Sequence, residues 1–182
     1  KKEYENPINY YAESKLKFDN YVRSNIGKLN ISVTGLRYFN VYGPKEFHKG
    51  PMSSVILKFY KQMIESNEIK IFEGSNHFIR DFIYIEDIVD LNIFFYNNRI
   101  NGIFNAGTGS PRSFYDLAYC FKKLNNNVKI VEIEFPTKLN NKYQTFTKSN
   151  NNSLEKIGLH KSFIDIEEGI EKYNLYLRNY FN

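Results

Sequence analysis

The sequence predicts an α/β fold. Segments with helical and strand-like patterning alternate along its 182 residues, the arrangement expected of a sheet covered by helices. A helix bearing Tyr11 and Lys15 leads into a strand that runs out at Asn40-Val41-Tyr42-Gly43-Pro44. Ligands of open α/β sheets bind at such carboxyl ends of strands. The length suffices for one domain with a sizeable core.

The elements follow in order. Asn9 to Asn25 reads as a helix and Leu29 to Tyr38 as the next strand. Ser53 to Glu65 is a second helix, with Val55, Phe59 and Met63 along one side. Short strands are expected at Ile69 to Phe72 and Asp81 to Ile85. Asp87 is then expected to cap a helix from Ile88 to Tyr96, its carboxylate accepting from early backbone N–H groups. A strand at Gly102 to Asn105 precedes a helix from Phe114 to Leu124 capped by Ser113, and Val128 to Ile133 forms another strand. Helices near Ser153 to Ile157 and from Ile166 to Arg178 complete the chain. Asn125 to Asn127 and Asn140-Asn141 mark loops, and Ser149 to Ser153 is a polar connector.

Tyr11 and Lys15 stand one helical turn apart on one face. A free phenol has a pKa of about 10 and a lysine one of about 10.4, so neither alone accepts protons well near neutrality. An ammonium beside the phenol favours the phenolate, which makes the pair a means of acid/base chemistry. Spacing alone does not decide this, because Tyr119 and Lys123 repeat it in a segment that an amphipathic surface helix explains fully. The first pair is set apart by the strand that follows it.

Composition narrows the classes. A formal net charge of +5 with 25% charged residues is mildly basic, and Lys148 to Lys161 contains no dense cationic run, which disfavours nucleic acid as a partner. Cys120 is the single cysteine and reads as a buried structural thiol, in keeping with a cytoplasmic setting. No membrane partner is expected, since no run of about 18 apolar residues is present. His48, His77 and His160 lack metal-ligand spacing, so no metal site is expected.

Beyond Tyr11-x-x-x-Lys15, the segment Arg37-Tyr38-Phe39-Asn40-Val41-Tyr42-Gly43-Pro44 resembles extended short-chain dehydrogenases/reductases that act on nucleotide sugars. Glu46-Phe47-His48-Lys49-Gly50, Phe72-Glu73-Gly74-Ser75, Arg80-Asp81-Phe82 and Lys138-Leu-Asn-Asn-Lys-Tyr143-Gln144 are similar, more narrowly, to the ADP-glyceromanno-heptose 6-epimerases. The resemblance runs from Asn6 to about Tyr176. It implies the carboxyl-terminal part of a Rossmann-type doubly wound parallel sheet with a smaller α/β substrate-binding lobe. Residues 1–42 and 84–106 would belong to the NADP-binding domain, and residues 43–83 and 107–182 to the lobe. No Gly-x-x-Gly-x-x-Gly turn occurs; Gly107-Thr108-Gly109 is too brief to serve and reads as a turn. The chain is therefore expected to be a piece lacking its cofactor-binding half.

The resemblance implies epimerisation at C6 of the heptose of ADP-D-glycero-β-D-manno-heptose, for the inner core of lipopolysaccharide, by oxidation to a ketone and re-reduction. With the nicotinamide fixed, an acid/base group is wanted on each side of the sugar. Tyr11 and Lys49 take these roles by resemblance, which also places Lys15, Val41 and Lys49 on NADP. Val41 equally suits an ordinary apolar strand end. Asn40, Phe72, Glu73, Gly74, Ser75, Arg80 and Tyr143 would bind the nucleotide sugar, with Arg80 on the diphosphate. For Arg80 the alternative is a surface pair with Asp81, and for Tyr143 a packing role. Pro51 and Lys58 depart from the family's usual serine and histidine at two substrate positions, which bears on affinity rather than on reaction type. A homo-oligomer, a pentamer by resemblance, is implied. Another nucleotide-sugar epimerase or dehydratase, or a non-catalytic binding or assembly fragment, is the alternative.

Overall fold

The computed structural model describes residues 5–7, 9–137 and 143–181. Its first helix, α1 (Tyr10–Asn25), is capped by Asn9, whose side-chain oxygen accepts from the Ala12 N–H at 2.8 Å. α1 contributes no buried residue. Strand β1 (Thr34–Tyr38) begins later than the expected Leu29, and Leu29 and Ile31 are exposed. The ladder starts where its partner starts, at Thr34 opposite Gly102.

A second difference lies at Phe39, where the expected end of one strand becomes the break between two. The Phe39 N–H still donates to Ala106, whereas the Asn40 N–H donates to the Asp81 carbonyl. The chain thus changes partners, and β2 (Asn40–Tyr42) pairs in parallel with β5 (Phe82–Tyr84). β1 pairs in parallel with β6 (Gly102–Ala106). β3 (Glu68–Phe72) and β8 (Lys129–Ile133) form a third parallel pair, and β4 (Ile79–Arg80) runs antiparallel to β7 (Arg112–Ser113).

Helix α2 (Val55–Ser66) is capped by Ser54, one residue after the expected start. Asp87 is not a cap. Helix α3 (Ile85–Asn98) starts directly after β5 with Tyr84 at its N-cap, which places Asp87 inside the first turn. There it is 1% exposed, accepts from the Ile164 N–H at 2.9 Å and pairs with Lys161 at 3.1 Å. Ser113 does cap α4 (Phe114–Leu124), in a reciprocal box with Asp116. The short α5 (Asn152–Lys156) and the long α6 (Ile166–Phe181) complete the fold, α6 continuing beyond Arg178 because Tyr180 and Phe181 pack on Phe47.

Burial divides into two clusters. The larger gathers α2, α4 and α6 around β3 through Leu57, Phe59, Ile69, Leu117, Phe121 and Tyr173. The smaller joins α3, β6 and α5 through Ile83, Leu91, Phe95, Phe104 and Leu154. Cys120 is buried in the first, where loss of hydration pushes its thiol up to about 11 and leaves it inert. Gly169 of α6 belongs to the same contact surface: a Cβ there would fall 1.9 Å from the Tyr42 hydroxyl. That hydroxyl is buried and has no hydrogen-bond partner among the described residues. Gly169→Ala is therefore expected to destabilise by about 1–3 kcal/mol through overpacking, despite its better helix propensity. Tyr42→Phe in the same chain should restore most of the loss, read from the midpoint of urea unfolding.

Candidate active site

Helix α1 holds Tyr11 and Lys15 in mutual contact, the Lys15 ammonium standing 5.1 Å from the Tyr11 ring centroid. Tyr11 is 72% exposed. α1 has no fully buried residue, and charge helps to hold it in place: Arg37 of β1 donates to Asp19 at 2.6 Å and to Glu5 at 2.9 Å, and Glu5 also pairs with Arg23. The Arg23 and then the Arg37 hydrogen bonds pull the Glu5 carboxyl down to about 2 from its usual 4.5. Its folded pKa is the lower one, so its contribution is complete above about 4.5 and is lost as pH falls towards 2. Hydrogen exchange of α1 amides should accelerate over that range relative to α4, and Glu5→Gln should remove the acid dependence.

Asn40 and Val41 open β2. Asn40 is exposed, and its amide donates to the Asp81 carbonyl at 2.8 Å. Val41 is half-buried against the smaller core. Beyond Gly43 the chain forms a 3-10 helix, Phe47–Met52, where a loop was expected. Lys49, Pro51 and, on α2, Lys58 are all exposed.

A second group surrounds the turn after β3. Arg80 is 8% exposed, donates to the Ile79 carbonyl at 3.0 Å and lies 5.2 Å from the centre of the Tyr143 ring. Tyr143 meets Phe78 and Phe135 edge-on, and Phe135 meets Phe72. Arg80 and Tyr143 are thus brought together with Phe72, and no carboxylate pairs with Arg80 among the described residues. Burial pushes the guanidinium pKa down, opposed by Tyr143. Gly74 has φ +77° with open space beside it, and Glu73 is exposed. Ser75 is buried with its hydroxyl on the Phe72 carbonyl, closing the turn. Lys138 to Lys142 lie outside the described residues.

Asp81 does not pair with Arg80. It is fully buried and accepts four bonds: from the N–H and hydroxyl of Thr108, at 2.8 and 2.7 Å, and from the N–H groups of Gly109 and Ser149, each at 2.8 Å. The carboxylate ties the Gly107-Thr108-Gly109 turn and the 149 segment to the strand end beside Asn40. The sequence suggested no role of this kind for Asp81, although its place directly before the apolar run Phe82-Ile83-Tyr84-Ile85 was a signal of burial. Glu46, 3% exposed, was missed similarly.

A cleft of about 770 Å³ between β1 and α3 is lined by Leu36, Tyr38, Asn92 and Tyr96 and includes none of the expected site residues. Among the described residues no cluster of His, Cys, Asp and Glu is arranged to hold a metal, and no helix is long and apolar enough to cross a membrane.

The family model for the NAD dependent epimerase/dehydratase family matches residues 1–107, the stretch that holds Tyr11, Lys15, Asn40, Lys49 and Arg80. The chain belongs to this family. Its fold is the Rossmann-like α/β fold of the epimerase/dehydratase superfamily. Among solved structures it is similar to the ADP-L-glycero-D-manno-heptose-6-epimerase of Helicobacter pylori, at 31% identity and a TM-score of 0.84, over 95% of this chain and 52% of that one. The UDP-N-acetylglucosamine 4-epimerase of Methanobrevibacter ruminantium matches at 23% identity and TM-score 0.79, over 93% of this chain and 54% of that one. The UDP-glucose 4-epimerase of Thermotoga maritima matches at 24% and 0.78, over 94% and 54%. These two show the fold alone. The chain spans about half the length of the solved proteins it matches. Members of the NAD dependent epimerase/dehydratase family depend on a nicotinamide dinucleotide, and these solved neighbours are nucleotide-sugar enzymes.

Proposed function

We propose that the full-length protein carrying this chain is an NADP-dependent ADP-glyceromanno-heptose 6-epimerase, interconverting the D-glycero and L-glycero forms of ADP-β-D-manno-heptose for lipopolysaccharide inner-core synthesis. The observation that carries the reading is the buried Arg80, paired with no carboxylate among the described residues and set beside an aromatic nest, in a chain 31% identical to a heptose epimerase. A buried cation without a carboxylate is costly unless an anion joins it, and a diphosphate suits its forked donors. Tyr143 and Phe72 supply flat apolar surface for the nucleotide, with Gly74 giving close backbone access and Glu73 and Ser75 completing the turn.

Lys15 fits the cofactor's ribose by its donor chemistry, since its ammonium is exposed next to Tyr11, and Val41 offers an apolar edge to the nicotinamide end. When bound, NADP supplies the hydride acceptor and donor. Tyr11 removes or returns the proton of the C6 hydroxyl on one side of the sugar, and Lys49 does so on the other. Asn40 orients the sugar. Residues 1–42 and 84–106 serve the cofactor domain, and 43–83 and 107–182 the substrate lobe, in a cytoplasmic homo-oligomer. Pro51 and Lys58 bear on affinity for the nucleotide sugar, because Pro51 offers neither a hydroxyl nor an N–H there.

Arg80→Met in the full-length protein tests the diphosphate contact. KM for the ADP-heptose should rise about 10- to 100-fold, the scale of a charge-assisted bidentate contact. An unchanged KM removes Arg80 from the site.

A further inference from the structure

Lys49 rides on an arch whose base is closed by one carboxylate. Glu46, 3% exposed, accepts from the Ser54 N–H and hydroxyl, each at 2.6 Å, so the two ends of the segment 46–54 are clasped together. Within the arch the Lys49 N–H donates to the Glu46 carbonyl and the Ser53 N–H to the Gly50 carbonyl. Gly50 turns the chain at φ +51°, ψ −122°, a conformation that glycine adopts without the steric penalty of a side chain.

The arch is fastened to α6 at two points. The fully buried Tyr173 hydroxyl donates to Glu46 at 3.0 Å. Burial and the Glu46 charge push the Tyr173 phenol up, so it stays a donor. One residue along, Phe47 stacks on Tyr180 with centroids 4.5 Å apart and meets Phe181 edge-on at 5.5 Å. Glu46 and Tyr173, both buried, and the half-buried Ser54 therefore form a hydrogen-bonded base, while Lys49 stands exposed.

We infer that Glu46, held by Tyr173 of α6, is a positioning residue for Lys49 and sets where its ammonium meets the sugar. The inference rests on the acid/base reading of Lys49. A group displaced by about 1 Å from its reactive position can cost about 100-fold in rate, so the base of the arch controls turnover without touching substrate.

The test is a double-mutant comparison in the full-length protein with NADP and ADP-D-glycero-β-D-manno-heptose. Glu46→Gln and Tyr173→Phe are each introduced alone and together with Lys49→Met. Expected is a fall in kcat of about 10- to 100-fold from Glu46→Gln and of at least threefold from Tyr173→Phe, with KM within about threefold. In the Lys49→Met background neither should change the residual kcat by more than about twofold, because the group they position is gone. Equal losses in both backgrounds, or no loss in either, overturn the positioning role while leaving Lys49 as an acid/base group. A Lys49→Met protein with undiminished kcat overturns the reading beneath it. Tyr173→Phe carries the same comparison if Glu46→Gln does not fold, since it removes one hydroxyl and keeps the packing.

Discussion

Tyr11→Phe is expected to lower kcat of the full-length protein by about 10²–10⁴-fold, the usual worth of a positioned acid/base group. Lys49→Met should do the same. The fold makes these losses interpretable. Tyr11 is 72% exposed on a helix with no buried residue, and Lys49 is exposed at the crest of its arch, so neither substitution opens a cavity. Thermal midpoints should stay close to the parent's while turnover collapses, with KM for the nucleotide sugar shifting little. A kcat within about twofold of the parent for either variant would remove that residue from the chemistry.

Asp81→Ala should produce the largest loss of stability, about 3–5 kcal/mol. Its carboxylate accepts four hydrogen bonds in full burial. Bonds to a charged acceptor contribute about 1.5–3 kcal/mol each, and their sum is cut by water that enters the vacated space. The consequence reaches the site, because the Asp81 carbonyl also holds Asn40. Urea unfolding should show a lower midpoint with an unchanged m-value. A loss under about 1 kcal/mol would mean that backbone turns, and not Asp81, hold the 107–109 and 149 segments.

Much of the frame was legible in the sequence because local signals carried it. Ser113 acts through contacts within one turn, and apolar spacing along α2 reports the face it buries. What escaped was set by partners distant in sequence. The break at Phe39 exists because β6 and β5 claim successive residues, and nothing local to Arg37-Tyr38-Phe39-Asn40 says so. Asp87 looks like a cap, yet its partners Lys161 and Ile164 lie across the fold. The same holds for Glu46 with Tyr173 and for Asp81 with Ser149. The Tyr11 and Lys15 contact was readable because one helical turn fixes it, whereas Tyr119 and Lys123 make the same 5.1 Å contact on α4. Geometry within the pair thus carries no selectivity.

The most direct measurement is the configuration of the product formed by the full-length protein from ADP-D-glycero-β-D-manno-heptose with NADP, followed by NMR alongside UDP-glucose as a second substrate. Expected is conversion of the heptose to its C6 epimer, with no change in UDP-glucose. An unaltered heptose, or inversion of UDP-glucose at C4, would contradict the 6-epimerase proposal.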